Sequence, residues 1–171
     1  RTLGQMDFDG FGIGGALEKE RLGTIVRWAT QELPEDRPRH LLGIGEPGDL
    51  FAGVEAGADT FDCVSPSREA RNSAVYTSAG RFNLLTSANR RAFAPIEEGC
   101  DCYTCTHYTR AYLHHAFKAR EMIAATLATI HNLRFVVRLV DNIRASIDSG
   151  QFSDYREEFL GTYRAGTPLT A

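Results

Sequence analysis

The sequence predicts an α/β fold that gives way to helices toward its C-terminal end. Three observations carry this. Short apolar runs alternate with helix-like stretches over residues 8–64, a hairpin signal follows, and two long segments then carry apolar residues at helical spacing.

Residues 8–13 read as a strand leading into Gly14-Gly15. Residues 18–32 are helix-like, with Leu22, Ile25, Val26 and Ala29 on one face, until Leu33-Pro34-Glu35-Asp36-Arg37-Pro38 breaks the pattern. Residues 41–44 form a short buried-type strand. Residues 47–56 form a helix with Gly57 just past its end, and residues 60–64 form a third strand. This β-α-β-α-β rhythm predicts parallel strands joined by crossover helices. Residues 74–77 and 81–84 flank Ser78-Ala79-Gly80 as a hairpin. Helices are expected over 106–127 and 130–149, the second with a stripe of Ile130, Leu133, Val137, Val140 and Ile147. A short helix at 152–163 and a tail at 167–171 follow. Three parallel strands neither close a barrel nor cover their own edges. Together with an opening residue Arg1 rather than Met, this reads as part of a longer polypeptide.

With 43% hydrophobic and 24% charged residues the chain has the makings of a packed core, which argues against disorder. No signal sequence opens it, and no run approaches the roughly 20 apolar residues that span a bilayer, so no membrane role is expected. The net charge of −3 conceals an asymmetry: residues 66–120 hold eight Lys/Arg against four Asp/Glu. That excess suits an anion-facing surface, although scattered solvated arginines explain it equally from charge alone.

Cys100-Asp101-Cys102-Tyr103-Thr104-Cys105 is C-x-C-x-x-C, three thiols at a spacing that can wrap one ion. A closed tetrahedral zinc site needs a fourth ligand, and His107, His114, His115 and His131 are all candidates at this point. A site with four protein ligands leaves no position for water, so its task is structural. Cys63, far upstream within a strand, reads as a small core residue. Its neighbour Asp62 stands in an apolar run at the end of a predicted parallel strand, where functional groups gather in α/β folds. A structural bond to an arginine such as Arg68 is the plainer alternative.

These residues fall into a known order. The run from Thr60-Phe61-Asp62-Cys63-Val64-Ser65-Pro66 through Ser67-Arg68-Glu69-Ala70-Arg71-Asn72 resembles the nucleophile strand and following loop of bacterial-type tRNA-guanine transglycosylases, also called queuine tRNA-ribosyltransferases. Gly99-Cys100-Asp101-Cys102-Tyr103-Thr104-Cys105, Arg110-Ala111-Tyr112-Leu113-His114-His115 and Thr129-Ile130-His131-Asn132-Leu133 resemble that family's zinc module. Phe11-Gly12-Ile13-Gly14-Gly15 and Leu42-Gly43-Ile44-Gly45 resemble two of its substrate loops. The likeness covers nearly the whole chain.

The resemblance implies the C-terminal portion of a TIM barrel with a zinc-binding insertion and C-terminal helices. The last β/α units would occupy residues 1–71, the hairpin and zinc loop 72–105, and the helices completing the zinc site 106–171. It implies one structural zinc ion on Cys100, Cys102, Cys105 and His131. It makes Asp62 the catalytic nucleophile, and Gly15 and Gly43 contacts for the base. It assigns Gly43, Ile44, Gly45, Glu46, Pro47, Gly48, Asp49, Ser67, Arg68, Glu69, Ala70 and Arg71 to RNA. The implied reaction replaces guanine at the anticodon wobble position of tRNA with 7-aminomethyl-7-deazaguanine. The partners implied are tRNA, a 7-deazaguanine base and a second copy of the enzyme, in the cytoplasm. The family's other essential aspartates belong to a barrel half this sequence does not contain, so this chain by itself is expected to be inactive. The alternative is a non-catalytic, zinc-containing RNA-binding subunit of the same family, which would be expected to have lost the nucleophile.

Overall fold

The computed structural model describes residues 1–15 and 19–163. The expected helix start at Glu18 and the expected tail at 167–171 lie outside these. The chain divides into two compact units, Arg1–Val64 and Ser65–Ala171.

The first unit contains a three-stranded parallel sheet in the order β1 (Phe11–Ile13), β2 (Arg39–Leu41), β3 (Thr60–Phe61). Helices α1 (Leu22–Thr30) and α2 (Pro47–Glu55) make the crossovers, as the sequence rhythm predicts. Side chains alternate across a strand. Phe11, Ile13 and Leu41 are buried, and Leu22, Val26, Ala56 and Ala58 pack with the last two in one core. Each Phe, Ile, Leu or Val side chain among them taken from water contributes about 1.5–3 kcal/mol. The opposite face is Gly12, His40 and Thr60, aligned by the register Gly12↔His40↔Thr60. All three strands are shorter than expected: Gly10 ends before β1 begins, and Asp62 and Cys63 lie just past β3 rather than inside it. β2 also sits earlier than the expected 41–44, because the apolar run at its end turns at Gly43, which has φ +74°.

The second unit opens with α3 (Ser65–Arg71), a helix where a loop was expected, and it packs on the long helix described below. Residues 65–71, which the resemblance assigns to the last β/α units, belong to the second unit. β4 (Ala74–Thr77) and β5 (Gly80–Asn83) form the hairpin, with Thr77 opposite Gly80. Gly80 therefore joins the strand and leaves a two-residue loop.

The expected helix over 106–127 is interrupted. α4 (Tyr103–His107) and α5 (Arg110–Lys118) are separate, and Thr109 caps α5 by accepting a hydrogen bond from the Tyr112 N–H. A turn at Arg120, in the left-handed region at φ +59°, closes α5, and α6 (Met122–Asp148) begins at once. No glycine or proline marks that break. α7 (Phe152–Thr162) follows as expected.

The stripe expected on α6 is not its buried face: Leu133, Val137 and Ile147 are exposed. The buried line is Ala124, Leu127, Ala128, His131, Asn132, Phe135, Leu139, Ile143 and Ser146. Three polar residues and two alanines in that line hide it from a hydropathy pattern. α6 is also long and apolar enough to cross a membrane by length and composition, contrary to expectation. Its packing on α3, α4, α5 and β4 and its buried polar contacts read it instead as a core helix.

Asn132, with no exposed surface, uses all its polar atoms: its amide donates to the Pro66 and Ala74 carbonyls at 3.0 Å each and accepts from the Tyr76 N–H at 3.1 Å. Asn132→Ala leaves three backbone groups without this partner. The expected loss is about 3 kcal/mol or more, read as a lower urea midpoint at an unchanged slope.

Candidate functional site

Asp62 follows β3 on the same side as Thr60, and β2 sets His40 opposite Thr60. The three side chains bond in series. His40 Nδ1 lies 2.8 Å from the Thr60 hydroxyl, and His40 Nε2 lies 3.0 Å from Asp62 Oδ1. The Gly43 N–H donates to the same Oδ1 at 3.1 Å. Gly43 reaches that position in its left-handed conformation, where a side chain would be strained. The Asp62 side chain is 56% exposed. Its carboxyl is held below the usual range, first by the Gly43 N–H and then by His40, against a smaller desolvation effect. The arrangement is an ionised, accessible carboxylate anchored through one oxygen.

Cys63 is half-buried and packs against Gly45, where an added Cβ would come within 2.3 Å of the Cys63 Cβ. It stands past the strand and half-buried, not inside the strand as a core residue. Gly15 has φ +116° with open space where a side chain would be. In the segment expected to meet RNA, Gly43 and Gly48 are exposed, Ile44, Glu46 and Asp49 are half-buried, and Gly45 and Pro47 are buried. In α3, Arg68 and Arg71 are exposed and Ser67 is half-buried. Glu69 pairs with Arg81 at 3.4 Å. Ala70 is fully buried in the core and offers RNA no surface, a correction to its expected role.

In the second unit Cys100, Cys102, Cys105 and His131 bring one ligand atom each to within 4.8 Å of one another. The Sγ atoms stand 3.7, 3.6 and 3.3 Å from His131 Nδ1. Zinc bond lengths in a tetrahedron give a sulfur–nitrogen edge of about 3.6 Å, so the donor set fits such an ion. Local structure prepares each ligand. Cys102 caps α4 by accepting from the Cys105 N–H, which folds the x-x turn. His131 Nε2–H donates to the Tyr76 carbonyl at 2.7 Å, which leaves Nδ1 as the free lone pair. Arg134, one helical turn on, holds Asp101 by a two-pronged bond of 2.8 and 2.7 Å. The thiols do not ionise alike. The Cys105 thiol, and then His131, draw Cys102 down to about 3; burial pushes Cys100 up; donation to Cys102 and burial push Cys105 up. A divalent cation removes this conflict by binding all three as thiolates.

The other histidines fall outside the cluster. His114 is buried and donates to the Leu84 carbonyl at 2.9 Å, His107 stacks on Tyr103, and His115 is exposed. The sequence reading missed His40 as the partner of Asp62. The signal was available in strand register, since residues 40, 60 and 62 share one face once β2 and β3 pair.

The molecule is thus an α/β protein with an anchored carboxylate at a parallel-strand end and a Cys3His group able to hold a metal ion. Comparison with known sequences narrows this: the family described as queuine tRNA-ribosyltransferase matches residues 1–165, and the chain belongs to that family. It is 46% identical over 164 residues to a queuine tRNA-ribosyltransferase of Caldanaerobacter subterraneus subsp. tengcongensis, covering 94% of this chain and 44% of that protein. A protein of the same name from Francisella tularensis subsp. tularensis is 44% identical over 95% of this chain and 45% of its own length. One from Symbiobacterium thermophilum is 46% identical over 94% and 41%. The chain spans less than half the length of these curated relatives.

The cluster should take up one equivalent of a thiophilic divalent ion per chain, counted by native mass spectrometry. His131→Ala or Cys102→Ala should abolish uptake. Because the thiols must lose protons to bind, retention should fall as pH falls. Retention of the ion by both variants would sink the four-ligand assignment.

Proposed function

We propose that this chain is the C-terminal half of a tRNA-guanine transglycosylase, in which the sheet of the first unit forms the last strands of a TIM barrel. The polar face bearing His40, Thr60 and Asp62 is the barrel interior in this reading, and strand C-terminal ends are where such barrels place their chemistry. The single observation that carries it is the ionised, exposed Asp62 carboxylate beside a glycine-walled loop.

Asp62 attacks C1′ of the wobble guanosine, whose base is first turned out of its stack. The C1′–N9 electron pair leaves with guanine, which takes a proton at N9 from water or an acid outside this chain. The covalent aspartyl–ribose intermediate then receives 7-aminomethyl-7-deazaguanine. That base gives up its N9 proton, and Asp62 leaves as a carboxylate. Charge develops on the ribose as an oxocarbenium ion, which the nearby carboxylate stabilises. Gly15 lets the base approach the backbone closely, since it has no Cβ to intervene. Arg68 and Arg71, exposed on α3, suit phosphates or base edges of the anticodon loop.

Cys100, Cys102, Cys105 and His131 would hold one zinc ion. With four protein ligands it supplies no open position, so it fastens the loop before α4 to α6. Homodimerisation through this region is supported by a stacked aromatic group on its surface, Tyr103, His107, Tyr108 and Tyr112. A cytoplasmic enzyme acting on tRNA follows from the substrate. The chain alone is inactive in this reading, because groups that recognise the base and move its protons lie outside it. Retention of Asp62 in its hydrogen-bonded setting favours this over a non-catalytic RNA-binding subunit.

In the complete enzyme carrying these residues, wild type should exchange labelled guanine into cognate tRNA and Asp62→Asn should not. Equal exchange by both would remove Asp62 as nucleophile. Failure of both, with zinc bound and fold intact, would favour the RNA-binding subunit. Separately, Arg68→Ala and Arg71→Ala should each weaken binding to an anticodon stem-loop and flatten its salt dependence by roughly one phosphate contact. An unchanged salt slope in the double variant would place the RNA elsewhere.

A further inference from the structure

We infer that His40 is a positioning residue for Asp62: it fixes one carboxylate oxygen and so presents the other to the ribose. The inference rests on the reading of Asp62 as nucleophile.

Every described hydrogen bond of Asp62 falls on Oδ1, from the Gly43 N–H and His40 Nε2. Oδ2 has no partner among the described residues. A carboxylate bound this way cannot spin freely, and the oxygen with its lone pairs uncommitted is the one able to form the bond to C1′. His40 is itself fixed. The Thr60 hydroxyl meets Nδ1 at 2.8 Å, so with the ring neutral Thr60 donates to Nδ1 and Nε2–H donates to Asp62. This is the logic of an orienting group behind a reacting one, here built entirely from strand register: positions 40 and 60 pair, and position 62 lies two residues on.

Among the described residues, His40 is the one side chain that hydrogen-bonds Asp62. From β1, the residue opposite His40 is Gly12, which brings no ionisable group. The nearest charged residues on the two strands are turned to backbone: the Asp59 carboxylate accepts from the Arg39 N–H at 2.8 Å, and the Arg39 guanidinium donates to the Gly57 carbonyl at 3.3 Å. His40 and the Gly43 N–H are the groups that hold Asp62 ionised.

The test uses the complete enzyme, with zinc content and thermal melting confirming that each variant folds. His40→Leu removes both ring nitrogens. It should lower kcat by roughly ten- to a hundredfold while the KM for tRNA changes little. It should also move the acid limb of kcat/KM to higher pH, since exchange needs an ionised Asp62 and one of the two donors lowering its pKa is gone. His40→Gln restores a neutral N–H near the position of Nε2 and should recover most of kcat and of the acid limb. If His40→Leu does not fold, the near-isosteric Thr60→Val tests the same chain: freeing the ring should lower kcat in the same direction, less steeply. The proposal is overturned if His40→Leu, or Thr60→Val in its place, keeps both kcat and the acid limb of wild type. It is also overturned if His40→Leu and His40→Gln fall alike with the limb unmoved, the mark of a merely structural histidine. Asp62→Asn run alongside separates the two questions: exchange by that variant defeats the nucleophile reading, whatever His40 does.

Discussion

Adjacent residues on α6, His131 and Asn132, fix the second unit. Neighbouring positions on a helix point about 100° apart, so two polar side chains in sequence can be buried together only if separate partners meet each of them. β4 provides them. Tyr76 gives its carbonyl to His131 and its N–H to Asn132, and the Asn132 amide goes on to Pro66 and Ala74. This sets the rotation of α6 about its axis and its height against the hairpin, and it ties α3 to both. With α6 so placed, His131 Nδ1 faces the cysteine loop, and the same hydrogen bonds that position the helix position the metal group.

The first unit depends on a different constraint, the two-residue period of its strands. Leu41 must enter the core, and that alone turns His40 to the other face. Phe61 sits half-buried beside α2, close enough that a Cβ on Gly53 would come within 2.8 Å of its ring, so Thr60 and Asp62 turn outward with His40. The same packing that stabilises the sheet therefore assembles the polar triplet. A one-residue slip of β2 would put His40 into the core and expose Leu41, so the geometry of the carboxylate and the stability of the sheet are not separable.

Much of this was legible in the residues. The β-α-β-α-β order, the hairpin, the three cysteines and the strand-end aspartate are all local signals. The choice of His131 over three other histidines was not local; it came from the resemblance, and in the structure it rests on the Tyr76 carbonyl, which no spacing rule reveals. The break at Arg120 was missed because it uses a left-handed arginine rather than glycine or proline. The buried face of α6 was misplaced because Asn132, His131 and Ser146 read as surface residues until their partners are known, while Leu133 and Val137 read as core. α3 was read as a loop because Ser65-Pro66 signals a turn, yet proline is equally at home in a helix's first turn.

In the proposed function the two centres cannot exchange roles, and donor count decides this. Three thiols and an imidazole saturate a tetrahedral ion, so it has no vacancy through which to bind a substrate oxygen or lower the pKa of water. Asp62 is the converse: one oxygen is held and one is open, with over half the side chain exposed. Burying it more deeply would raise its pKa and lose the anion; exposing it without Gly43 and His40 would leave the anion free to rotate and hydrate. A nucleophilic carboxylate needs the intermediate condition, ionised by donated hydrogen bonds rather than by a full water shell. In the reading proposed for Asp62, two donors on a single oxygen supply that condition.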